Sequence, residues 1–215
     1  MVRHLVICAA AACLLTACSP GPKWTPRPIV TVAPTPASGS PDASASPSET
    51  PTPSPSTTLR VPTAAKAINA NGYDSAHFAS PSGRIWCALY ADNALCHFPN
   101  GMDYSAVPSS EETCPGEELD VTGVSVDATN GTEYFCSGGP EALPRTNSEY
   151  VDWWKDAGNL PSVKYDGQKY AVLPYGKKLK KGDYVCLSER AGVTCGNTAT
   201  GKGFRVALAG VTFIG

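Results

Sequence analysis

The chain has 215 residues, 42% of them hydrophobic and 17% charged, with a formal net charge of −2. Asp and Glu are spread throughout, and no basic run exceeds Lys177-Lys178-Leu179-Lys180-Lys181, so nucleic acid is not an expected partner. That lysine run reads as a solvated turn just before a strand.

In chain order, the first element is a secretion signal. Arg3 and His4 precede an apolar run from Leu5 to Leu15, too short to span a hydrocarbon core, which takes about 20 residues. Leu15-Thr16-Ala17-Cys18 follows, a large apolar residue, two small ones and a cysteine. It resembles the lipobox of bacterial lipoproteins. The resemblance implies that residues 1–17 are removed and that Cys18 is the lipidation site. The expected location is then the extracytoplasmic face of the cell membrane, reached through a lipid anchor. Acyl chains contribute about 0.8 kcal/mol per buried methylene, so a diacylglyceryl and an N-acyl group together make attachment effectively permanent.

Residues 19–58 hold eleven of the twenty prolines, with Ser, Thr and Ala filling the gaps. Almost no large apolar side chain follows Val32, so the segment cannot bury enough surface to offset the entropy of ordering. It is expected to be a disordered linker running from Cys18 to residue 58. If stiff, at about 3.1 Å per residue, it would reach on the order of 100 Å from the bilayer. Residues 59–215 make one ordinary domain length, the ectodomain.

Nine cysteines are encoded. Cys8 and Cys13 leave with the signal and Cys18 is the lipid site. Cys87, Cys96, Cys114, Cys136, Cys186 and Cys195 remain, an even set that implies disulfides in an exported domain. Gly83-Arg84-Ile85-Trp86-Cys87 and Gly182-Asp183-Tyr184-Val185-Cys186 are each followed by eight residues and a second cysteine. An even spacer lets the two cysteines sit directly opposite across a hairpin, near the separation a disulfide tolerates. The expected links are Cys87–Cys96 and Cys186–Cys195, with Cys114–Cys136 left over. The matching units also suggest two related β-halves.

Turn signals divide the ectodomain into short strands. Val124 to Ala128 and Thr132 to Cys136 flank Asn130-Gly131, while Val163 to Tyr165 and Lys169 to Val172 flank Asp166-Gly167. Gly203 to Leu208 and Val211 to Ile214 close the chain as strands. One helix is expected from Glu149 to Ala157, with Ser148 as its cap and Gly158 as its stop. The fold class is therefore mainly β, an antiparallel sandwich or barrel-like domain of disulfide-closed hairpins with one short helix.

Phe78-Ala79-Ser80-Pro81-Ser82-Gly83-Arg84-Ile85-Trp86-Cys87 resembles the F-x-S-P-S-G-N-I-x-C start of a small exported domain of actinobacterial proteins. Leu173-Pro174-Tyr175-Gly176, Gly192 to Asn197 and Thr200 to Phe204 are similar to its later half. Arg84 stands where that pattern has Asn. The resemblance covers roughly residues 77–215 and implies a secreted or lipid-anchored disulfide domain, with no reaction attached. The same motifs are also turn chemistry, Ser-Pro-Ser-Gly before a strand above all.

No residue set points to catalysis, and neither a cofactor nor a metal is expected. After the signal only His77 and His97 remain, and Ser80, Ser82 and Ser110 lie outside any Gly-x-Ser-x-Gly pattern. Glu111-Glu112 and Glu117-Glu118 flank Cys114 as solvated loop acids. Trp153-Trp154 is the most suggestive surface feature: neighbours on a helix point about 100° apart, so one packs while the other, with Tyr150, is open to a partner. The leading expectation is a non-enzymatic binding domain for a cell-wall glycan or an envelope protein, through Tyr150, Trp153 and Trp154. The competing ones are a wall hydrolase using His77 or His97 with a carboxylate, and a structural accessory subunit.

Overall fold

The computed structural model describes residues 58–215; the expected signal, Cys18 and nearly all of the expected linker lie outside the described residues. The described chain is mainly β, and its strand pairs are antiparallel except for Ile68–Asn69 with Lys178–Lys181. A five-stranded sheet runs in simple sequence order through β2 (Ala76–Ala79), β3 (Trp86–Leu89), β4 (Asn93–His97), β5 (Val121–Asp127) and β6 (Thr132–Cys136). The larger sheet repeats that meander with β9 (Lys178–Lys181), β10 (Tyr184–Glu189), β11 (Gly192–Asn197), β12 (Gly203–Ala207) and β13 (Gly210–Ile214). Strand β1 (Ile68–Asn69) adds to its edge, parallel to β9. A separate hairpin is formed by β7 (Ser162–Tyr165) and β8 (Gln168–Ala171).

The two sheets pack face to face as a sandwich, with β10 to β12 over β3 to β5, and no barrel closes. Alternation explains which residues turn inward. Phe78, Cys87, Cys96, Val124 and Val126 from one sheet meet Cys186, Val193, Cys195, Phe204 and Val206 from the other in one buried cluster. In each meander the second and third strands carry the disulfide, between residues in direct register: Cys87 opposite Cys96, and Cys186 opposite Cys195. The Cα separation is 4.1 Å in both, as expected for a close cross-strand pair. The two links touch at the centre of the sandwich, with Cys96 Sγ 3.7 Å from Cys195 Sγ. The repeated sequence unit is thus the core of each half. The third link, Cys114–Cys136, ties the loop after β4 to the end of β6.

The entering chain is fastened across the larger sheet. Val61 sits over Gly196, whose missing side chain makes the space: a Cβ there would fall 2.5 Å from Val61. Lys178 Nζ donates to the Thr63 carbonyl at 3.0 Å and to Thr63 Oγ1 at 3.1 Å. Of the lysine run, Lys178 to Lys181 form strand β9 and only Lys177 lies before it, so the run is mostly strand and not a turn. Lys181 is buried, with its ammonium donating to the Tyr73 carbonyl. Long apolar stems let lysines line a half-covered strand while their heads reach polar groups.

The expected helix is shorter and split. Glu149–Val151 is a 3-10 turn and α2 spans Asp152–Asp156, while the Ser148 side chain makes no capping bond. A one-turn helix that the sequence reading missed, α1 (Ser110–Thr113), carries a capping box in which Ser109 and Glu112 bond reciprocally. No helix among the described residues is long and apolar enough to cross a membrane.

A candidate aromatic cleft

Ser80 to Ile85 builds one rim of the site. The Gly83 N–H donates to the Ser80 carbonyl at 2.8 Å, closing a turn in which Gly83 has φ +74°, a region where glycine is unstrained. The Ser80 hydroxyl accepts the Ile85 N–H at 3.2 Å, locking the turn from inside. This geometry delivers Arg84 and Trp86 to one side of the smaller sheet. Trp86 is held by its Nε1–H, which donates to the Gly83 carbonyl at 2.9 Å. Its ring meets Tyr165 edge-on at 6.2 Å and leans on Tyr170 at 5.1 Å.

The opposite wall comes from the segment after β4. Phe98 and Tyr104 meet edge to face at 5.7 Å, and Tyr104 remains 49% exposed. Asn100 bridges the two walls by donating from Nδ2 to the Tyr165 hydroxyl at 2.9 Å. Asp120, Ser109 and the glycine pair Gly138-Gly139 complete the surround. The cleft is open to solvent and has a volume of about 720 Å³, inside the range of small-molecule sites. It offers aromatic surface on two sides with one guanidinium, one carboxylate and one amide between them.

The residues singled out from the sequence lie elsewhere. Trp153 is 1% exposed and donates from Nε1 to the His77 carbonyl at 3.0 Å, so it is a core residue and not a contact surface. Trp154 is half-buried, with its Nε1–H donating to the Pro161 carbonyl at 2.9 Å. Tyr150 is exposed at its edge, but its face stacks on His77 at 4.7 Å. These three rings roof one end of the smaller sheet rather than forming a binding plane.

Neither histidine is hydrogen-bonded to a carboxylate among the described residues. His77 is 2% exposed, edge-on to Tyr90 at 5.6 Å, and neither ring nitrogen has a hydrogen-bond partner. Burial pushes its pKa down to about 4, while the Leu143 carbonyl acts more weakly the other way without meeting bonding geometry. His97 does reach the cleft wall, yet its Nε2 accepts the Glu141 N–H at 2.7 Å and burial lowers its pKa as well. A general base needs that lone pair free. Glu112 is held ionised by its own capping bonds to the Ser109 backbone and hydroxyl. The one close grouping of metal-type ligands among the described residues is Cys87, Cys96 and Cys195, and its sulfurs are disulfide sulfurs, not thiolates.

The fold and site define a disulfide-cored β-sandwich of two matched meanders, with an aromatic cleft on one sheet. Comparison with protein-family models, with curated proteins and with solved structures found no match for this chain.

Proposed function

We propose that the protein is a non-catalytic binding module, anchored by lipid at Cys18 on the extracytoplasmic face, whose cleft holds a saccharide segment of the cell envelope. This reading places it among the exported actinobacterial domains that its motifs resemble. The observation that carries the ligand class is the pairing of Trp86 with Tyr165 and of Phe98 with Tyr104 around Asn100. A pyranose ring presents a C–H face that lies on aromatic planes and a rim of hydroxyls that needs paired donors and acceptors. Aromatic residues give such contact area at little entropic cost, and an amide held by a neighbour is already oriented. Asn100 is so held by Tyr165.

The test is titration calorimetry of the whole chain with soluble wall-glycan fragments. Tyr165→Ala is expected to weaken binding at least tenfold, about 1.4 kcal/mol, and Tyr150→Ala to leave it unchanged. Absence of binding by the wild type, or loss of binding on Tyr150→Ala with Tyr165→Ala unaffected, would overturn the assignment.

A further inference from the structure

A second cavity, of about 490 Å³, opens on the other side of Arg84. Arg84 lines both it and the aromatic cleft. Its wall carries a second guanidinium, Arg190, from the β10–β11 turn, and the hydroxyl pair Ser80 and Ser82, whose oxygens are 2.9 Å apart. Arg190 is braced from below: its guanidinium carbon stands 5.2 Å over the Tyr175 ring. The acid in this wall, Glu189, is already engaged by Arg205, Nη2 to Oε2 at 2.9 Å. Neither Arg84 nor Arg190 has a carboxylate partner among the described residues, where the ion pairs are Lys155–Asp152 and Arg205–Glu189.

We infer that this second cavity is an oxyanion site, taking a phosphate or carboxylate group borne by the same ligand that fills the aromatic cleft. The assignment rests on the cleft reading for what carries the anion, but the anion chemistry stands on its own residues. Two guanidiniums present planar forks of N–H donors that suit such oxygens, and a serine hydroxyl adds a rotatable donor. The ligand class is thus an acidic glycan, with Arg84 at the junction between its sugar and its charged group. Position agrees with this role. The cavity uses the turns at Glu189–Gly192 and Ala207–Ala209, whereas the chain enters beside Thr198, Gly201 and Gly215 at the other end of the same strands. Five or six residues at about 3.3 Å each put the site on the order of 17 Å from the point where the described chain begins.

The test is an amide NMR titration of the full chain with three probes: inorganic phosphate, N-acetylmuramic acid as the carboxylate source, and a neutral N-acetylglucosamine oligomer. Phosphate or the muramic carboxylate should shift Ser80 to Ile85 and Glu189 to Gly192, and whichever of the two saturates at the lower concentration is the anion the site prefers. Arg190→Gln should weaken that anion's binding at least tenfold while leaving the shifts caused by the neutral oligomer at Trp86 and Tyr165 intact. No shift with either anion, or equal binding to Arg190→Gln, overturns the oxyanion site even if the neutral oligomer binds. Anion shifts without any response to the oligomer instead retain the oxyanion site and remove the saccharide reading of the cleft.

Discussion

Replacing Cys186 and Cys195 together by alanine is expected to lower the melting temperature by about 10 °C, from roughly 3–5 kcal/mol of lost stability. Chain entropy alone accounts for part of this. With a sequence separation of 9, opening the loop gives back about 2.7 kcal/mol to the unfolded state. The remainder is packing. Both sulfurs are fully buried, and Cys195 Sγ touches the neighbouring disulfide at 3.7 Å, so alanines leave a gap between the sheets. The comparison that separates the two contributions is Cys114→Ala with Cys136→Ala. That link has a separation of 22 but half-buried cysteines, so entropy alone ranks it higher, at about 3.4 kcal/mol. Thermal unfolding of the two double variants should show the core pair as the costlier loss. The reverse order would mean that contact between the disulfides contributes nothing.

The second large effect is acid sensitivity centred on His77. Its pKa lies at about 4 in the folded chain because burial penalises the imidazolium, against an ordinary value of 6.5. The unfolded chain therefore binds the proton first as pH falls. Stability is complete above about pH 6.5, declines through the interval down to pH 4, and has lost about 3 kcal/mol below it. His97 acts in the same direction. His77→Phe fills the same slot between Tyr150 and Tyr90 and abandons no hydrogen bond from the ring, since neither nitrogen makes one. Phe is the larger ring in a fully buried slot, so stability at pH 7 should fall by about 1–3 kcal/mol, the usual cost of overpacking, and the diagnostic quantity is the pH dependence. Urea unfolding at pH 7, 5.5 and 4 should then show a much flatter decline in the variant. An unchanged decline would move the acid sensitivity elsewhere.

Much of the fold was legible because it is encoded locally. Equal spacers after Cys87 and Cys186 specify cross-strand pairs, and Asp127 with Asn130-Gly131 specifies the turn between β5 and β6. In that turn the Asp127 carboxylate accepts the Thr129 and Asn130 N–H groups, each at 2.6 Å. Strand β9 was hidden because its lysines read as polar, while the apolar stems that make them strand residues leave no mark on charge patterning. The helix was overextended because nothing in the segment distinguishes a 3-10 turn running into one α-helical turn from a single longer helix.

The cleft was not legible at all. Its aromatic residues come from the starts and ends of separate elements: Trp86 opens β3, Phe98 and Tyr104 follow β4, and Tyr165 ends β7. No period or spacing joins them, and only the packing of the β7–β8 hairpin and the segment after β4 against the smaller sheet brings them together. The Trp153-Trp154 doublet was conspicuous for the opposite reason, being adjacent in sequence, and the helix that holds it turns Trp153 into the core. Arg84, at the tip of a turn whose other residues are explained by turn geometry, stood out only as a departure from the Asn of a family pattern and gave no sign of the cleft it lines.

The most direct measurement is photo-crosslinking in intact envelope with a wall-glycan fragment carrying a diazirine, followed by mass-spectrometric mapping of the modified residues. The account predicts adducts on the peptides containing Trp86, Tyr104 and Tyr165, competed away by the unlabelled fragment. Adducts confined to Tyr150 and Trp154, or none that the unlabelled fragment displaces, would contradict it.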